Sequence, residues 1–260
     1  LYRTTLMRSA RRTMLDNVHP EIKREVGSIS LPSKMPGFGY SIPAQRCQVG
    51  SALNRAKSRK SKITGEMVDT VCAHCYALGG NYIYDTVKAA LENRYELMMT
   101  RGYAAWGKSM TKAINYLMEC GVSDEMRFFR WHDSGDLQSV EHIATIAQVA
   151  AATPLVKHWI PTRERRYVLT FLAVCATPVS RRDAATKSWV MPDNLNIRLS
   201  AALVDGGKPR IPAEYRGVLT GSSVTPNEDW TCPAPTHFNA CVHCRRCWDR
   251  SVANVAYHVH

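Results

Sequence analysis

Residues 126–163 read MRFFRWHDSGDLQSVEHIATIAQVAAATPLVKHWIPTR, and the change of period within them decides the fold. Met126 to His132 is an aromatic-rich run with the composition of a strand, and it ends in the turn-forming Asp133-Ser134-Gly135-Asp136. Val140 to Ala151 then follows helical spacing and is closed by Thr153-Pro154. Val156 to Pro161 is a second strand, ending at Thr162-Arg163. A strand, a helix and a strand within so few residues form a parallel βαβ unit, because a parallel partner needs a crossover of this length.

The same alternation continues outward. Tyr167 to Ala176 reads as a helix, and Leu195–Ser200 and Gly217–Thr220 read as strands. On the N-terminal side, Val87, Ala90, Leu91, Arg94 and Met98 mark one helix face. Gly102 interrupts, and Trp106, Met110, Ile114 and Leu117 mark a second helix, with Gly121 where a C-cap belongs. Pro36-Gly37-Phe38-Gly39 reads as a break, Tyr40–Ala44 as a short extended segment leading to Cys47, and 51–65 as a basic loop. The expected architecture is α/β, a partial β/α barrel or a parallel sheet, with a C-terminal cysteine-rich metal-binding segment. Three regions follow: a basic helical arm over 1–35, an α/β core over 36–225, and a cluster-binding segment over 226–260. In such folds ligands gather at the C-terminal ends of the strands. That rim is expected to carry Cys47, Asp133–Asp136, Thr162–Arg163 and Ser200.

Seven of the nine cysteines fall into two sets. Cys232 stands apart from Cys241, Cys244 and Cys247, which repeat at two-residue gaps and place three sulfurs on one tight turn. Soft thiolates select zinc or iron–sulfur clusters. The repeated gap favours the corners of a 4Fe-4S cubane over the two separated knuckles of structural zinc. Zinc stays as the alternative, with His237 or His243 able to replace one sulfur. The second set is Cys47, Cys72 and Cys75. Three protein ligands leave one iron of a cluster open to a substrate or cofactor. Cys120 and Cys175 sit on apolar helix faces and read as core. The odd cysteine count rules out complete disulfide pairing, and a chain of this length can bury a core without disulfides. These features point to an intracellular protein with thiolate ligands.

The triad resembles that of radical S-adenosylmethionine (radical SAM) enzymes, in which three cysteines follow the first strand of a partial barrel. His74 stands where those enzymes place an aromatic residue, and Ser134-Gly135-Asp136 where they place a glycine-rich turn. The first gap differs: 24 residues separate Cys47 from Cys72. A closer resemblance is to the phage-encoded gene-product-88-like proteins. It rests on Cys72–Ala77, on His132-Asp133-Ser134-Gly135-Asp136, on Pro161-Thr162-Arg163 and on Cys241–Trp248, in that order. It covers roughly residues 40–250 and implies a viral protein acting in the host-cell cytoplasm.

Two classes of function follow. In one, a radical SAM-like enzyme holds S-adenosylmethionine at an open cluster. Ser134, Gly135 and Asp136 bind its amino-acid end, and His132, Asp136 and Arg163 orient it or handle protons. In the other, a non-catalytic iron–sulfur or zinc protein uses metal for stability or redox sensing. The ordinary readings of the same residues are a helix-capping Asp136, a hydrogen-bonded buried His132 and an ion-paired Arg163. The net charge of +12 suits a phosphate-bearing partner, nucleic acid included. It is concentrated in Arg46–Lys62 and in Arg163, Arg165, Arg166, Arg181 and Arg182. No run approaches the roughly 20 apolar residues of a membrane helix.

Overall fold

The structure, a computed structural model, describes residues 12–175 and 191–259. Arg181 and Arg182 lie outside the described residues, as does the side chain of Cys175. The strands are β1 (Phe38–Tyr40), β2 (Ser58–Lys60), β3 (Met67–Asp69), β4 (Phe128–Trp131), β5 (Lys157–Thr162), β6 (Leu195–Val204), β7 (Leu219–Thr225) and β8 (Asn254–His258). The main helices are α1 (Pro20–Val26), α2 (Gln48–Ala56), α3 (Asp85–Arg101), α4 (Tyr103–Glu119), α5 (Val140–Ala151) and α6 (Arg165–Cys175).

Six strands form one parallel sheet in the order β1-β4-β5-β6-β7-β8, with β2 and β3 in a separate hairpin. The order in space is the order in the chain, so each crossover steps in the same direction. Right-handed crossovers then carry the connecting helices to one side. Side-chain alternation records the result. Phe129, Trp131, Ile160, Ile197 and Leu199 join the main core with residues of α4, α5 and α6. Phe128 and Trp159 point the other way, into a small cluster with Cys247 and Trp248. One face is therefore helix-covered, and the other carries the C-terminal segment and a cavity.

Several local expectations are corrected. Pro36–Gly39 is not a break. Phe38 opens β1, and Gly37 adopts φ +68 where an added Cβ would meet the Phe128 carbonyl oxygen at 1.9 Å. The glycine lets two strand backbones approach. The stretch 51–65 is not a loop either: it holds most of α2 and then the β2–β3 turn. Val49, Ala52, Leu53 and Ala56 carry helical spacing that the basic residues obscured, and Leu53 is buried. Cys120 caps α4 and is half-buried rather than core. The described part of the N-terminal arm joins the main core through Val18, Val26 and Ile29. The C-terminal segment supplies β8, an edge of the sheet.

Candidate functional site

Cys47 follows β1 and caps the N-terminus of α2. The chain runs through α2 and the β2–β3 hairpin and returns at Thr70, whose N–H donates to Lys57 O and whose hydroxyl donates to Leu53 O. Val71 N–H donates to Ala202 O at the end of β6, and Asn54 Nδ2 donates to Cys72 O. The 24-residue gap is thus a helix and hairpin that loop out and come back. Gly50, one turn into α2, shows how close the return is. A Cβ placed there would lie 3.7 Å from Cys47 Sγ and 3.6 Å from Cys72 Sγ. Burial pushes the Cys47 thiol far above its usual range, and Asp136, Cys75 and Cys72 add to the push. Burial also raises Cys72, against the pull of Arg163, which hydrogen-bonds to it. The structure brings Cys47, Cys72, Cys75, Asp136 and Arg163 together at the strand-end rim.

The loop after β4 explains its own sequence. His132 has φ +58 and is buried, with neither ring nitrogen partnered; burial and Arg130 hold its pKa down to about 3. Ser134 is buried with an unpartnered hydroxyl, while its carbonyl accepts from Ile42 N–H. Gly135 takes φ +82, and a Cβ there would meet Ile42 O at 2.7 Å. Asp136 does not cap the next helix. Ser139 does, accepting from His142 N–H. Asp136 instead accepts from Leu137 N–H, from the Thr162 hydroxyl at 2.5 Å and from Arg163 N–H at 2.9 Å. It ties the ends of β4 and β5, and burial raises its pKa to about 6. The Arg163 guanidinium donates to Ala201 O. Ser200, on the same rim, accepts from the Ser222 hydroxyl.

The C-terminal set lies against the open face of the sheet. Cys241 is pushed up to about 11 by burial, with Cys232 and Cys244 acting in the same sense and Arg130 and Arg245 against it. Cys247 is pushed up to about 12 by burial, although its sulfur bonds the Tyr257 hydroxyl at 3.1 Å. The thiols acting on Cys47 are Cys72 and Cys75, and those acting on Cys241 are Cys232 and Cys244, so two groups are present. His237 and His243 are exposed. Two arginines knit the segment in place. Arg245 donates to the carbonyls of Cys241, Val242 and Cys244. Arg198, fully buried in β6, donates to those of Gly221, Arg246, Cys247 and Asp249.

Cys47, Cys72 and Cys75 of one group and Cys232, Cys241 and Cys247 of the other line one cavity of about 1640 Å³, together with Arg130, His132, Ser134, Trp159, Arg163 and Tyr257. The described cysteines are all free thiols. Among the described residues no group of three or more His, Cys, Asp or Glu side chains could hold a metal ion, in either cysteine set.

Three contributors escaped the sequence reading. Glu164 is buried and accepts from Val49 N–H at 2.8 Å, so it caps the helix that follows Cys47 from across the rim. Nothing in its local sequence signals that partner. Gly50 is silent for the same reason. Arg198 was legible in principle, because Asn196 and Arg198 are the polar phase of an otherwise apolar strand.

The fold and site define a parallel α/β protein with a cysteine-lined cavity at the C-terminal ends of its strands. The sequence pattern described as Gene product 88 matches residues 6–250, and the chain belongs to that family, which is of phage origin. No curated protein and no solved structure matches it. Among the described residues no helix is long and apolar enough to cross a membrane.

Proposed function

We propose that this chain is an iron–sulfur protein of the radical SAM kind, built on a partial β/α barrel, in which Cys47, Cys72 and Cys75 hold a four-iron cluster with one iron open toward the cavity. The observation that carries the reading is the convergence of Cys47 and Cys72 on Gly50 across 24 residues, at the end of the first strand. The donor set fits. Thiolates are soft ligands suited to iron–sulfur clusters, and the glycine leaves room beside them. A cluster also bonds each thiolate to a different iron, so its ligands stand farther apart than those of one tetrahedral ion.

The chemistry such a site would supply is one-electron reduction of bound S-adenosylmethionine, breaking its C5′–S bond to methionine and a 5′-deoxyadenosyl radical that becomes 5′-deoxyadenosine by taking a hydrogen atom from a substrate. The chain's own residues orient the ligand. Ser134 and His132 offer buried polar atoms without protein partners. Gly135 lets the loop lie against Ile42, and Arg163 beside Cys72 grips a carboxylate. Asp136 holds the two strand-end loops in register, and Glu164 fixes the helix that carries Cys47. Cys232, Cys241, Cys244 and Cys247 hold a second, auxiliary cluster.

A non-catalytic reading draws on a different observation. The carbonyl web of Arg198 and Arg245 makes the C-terminal cysteines a brace for the chain, a role that iron–sulfur or zinc fills equally. Exposed Arg59, Lys60 and Lys62 on and beside β2 would then serve a nucleic-acid partner.

Anaerobic purification and reconstitution test both. Iron and acid-labile sulfide are expected, with reductive cleavage of S-adenosylmethionine that Cys75→Ala abolishes. A cluster-replete protein that neither binds nor cleaves S-adenosylmethionine leaves the non-catalytic reading. Stoichiometric zinc without sulfide overturns the cluster.

A further inference from the structure

The floor of the cavity carries a cation that forms no ion pair among the described residues. Arg130 in β4 and Trp159 in β5 are register neighbours on the open face, and the guanidinium stacks over the indole at 4.8 Å. Trp248 packs edge-on against both Trp159 and Phe128 on the same face. The partners of Arg130 are weak and neutral. Nη1 meets Met35 Sδ at 3.3 Å, Nη2 donates to the Tyr76 hydroxyl at 3.2 Å, and Nε is buried without a partner. Trp159 is 5% exposed, and its Nε1 donor is likewise unpartnered. None of the ion pairs among the described residues includes Arg130. Asp133 is nearby, but its carboxylate accepts from the Tyr82 hydroxyl, and the Cys241 thiol has two cationic neighbours, Arg130 and Arg245.

Arg130 is half-buried, and a guanidinium partly withdrawn from water without a paired anion is unfavourable. Stacking on an indole offsets only part of that. The fork of an arginine matches the planar oxygens of a carboxylate or the tetrahedral oxygens of a phosphate. We propose that the cavity floor is a binding site for the carboxylate or phosphate group of a small-molecule ligand, with Arg130 as its anion-binding residue and Trp159 Nε1 as a second donor. The ligand then lies over the sheet between the two cysteine groups. The inference does not depend on either group holding metal.

The full-length protein, with its metal content measured, is titrated calorimetrically at low ionic strength with inorganic phosphate and, separately, with malonate. One of the two is expected to bind saturably at one site per chain, and which one binds names the ligand's anion. Losing a charge-assisted hydrogen-bonded contact weakens binding by roughly ten-fold or more. Arg130→Gln should show that loss, Arg130→Lys a smaller one, and Trp159→Phe, which keeps the ring and removes the donor, a few-fold loss. Thermal melts of each variant separate lost binding from lost folding. If Arg130→Gln does not fold, Trp159→Phe and Arg130→Lys decide. Absence of saturable binding by wild-type protein, or equal affinity in the folded variants, overturns the proposal. Neither result bears on iron content.

Discussion

Arg198→Met should loosen the C-terminal segment by an amount the contacts define. The guanidinium is fully buried in β6 and donates to Arg246 O at 2.6 Å, Gly221 O at 2.8 Å, Asp249 O at 3.0 Å and Cys247 O at 3.1 Å. Each charge-assisted bond contributes about 1.5–3 kcal/mol when lost in isolation. Two effects reduce the sum. Burial disfavours the charge itself and lowers the pKa of Arg198, so its removal returns desolvation energy. Three of the four carbonyls also keep another donor: Asn196 Nδ2 reaches Cys247 O and Asp249 O, and Asp249 N–H reaches Arg246 O. The expected net loss is therefore about 2–4 kcal/mol rather than the full sum. At roughly 2–4 °C per kcal/mol for a chain of this size, thermal melting shows it readily. Urea unfolding measures the loss, and limited proteolysis locates it between residues 232 and 250. Adding Asn196→Ala should cost more than the two single changes together, because Cys247 O then loses both side-chain donors. A single-variant loss below about 1 kcal/mol, or additive behaviour, refutes the reasoning.

Gly50→Ala separates helix stability from the thiol site. Alanine is favoured over glycine in a helix interior by roughly 1 kcal/mol, yet the new Cβ would press on Cys47 Cβ at 3.0 Å and crowd both sulfurs. Metal-free protein should be no less stable, while iron retained per chain falls; undiminished iron would place the cluster elsewhere. The pH dependence of stability has a definite sign. His132 and His158 are held down to about 3, and His142 well below its usual value, by burial. Their contribution is present above pH 6.5 and is lost as pH falls. Asp136, raised to about 6, and Glu164, also raised, act oppositely: their contribution is full at low pH and is lost as pH rises through the folded values. The three histidines outweigh the two carboxyls, so metal-free protein should lose stability as pH falls from 6 to 4. Urea midpoints measured across that range should fall with pH, and a stability maximum near pH 4 contradicts the balance.

The alternation of residues 126–163 determined a parallel α/β fold without help, because strand and helix periods are local properties of the chain. The limits of α5 and the Gly102 break between α3 and α4 were legible for the same reason. The cysteine spacing of the C-terminal set and the ordered motifs from Cys72 to Trp248 placed the chain in its family. Other features were settled only in three dimensions. Cys47 and Cys72 became neighbours because α2 and the β2–β3 hairpin return the chain to its starting point, and sequence distance does not encode that return. Glu164 caps α2 from another strand's end, Asp136 joins two loops instead of capping a helix, and Arg198 finds four carbonyls contributed by β7 and the C-terminal segment. The two cysteine groups share one cavity because the last strand adds to the sheet's far edge and folds its preceding segment across the open face. Partnerships between distant residues depend on which surfaces the core brings together, and a linear pattern carries no record of that.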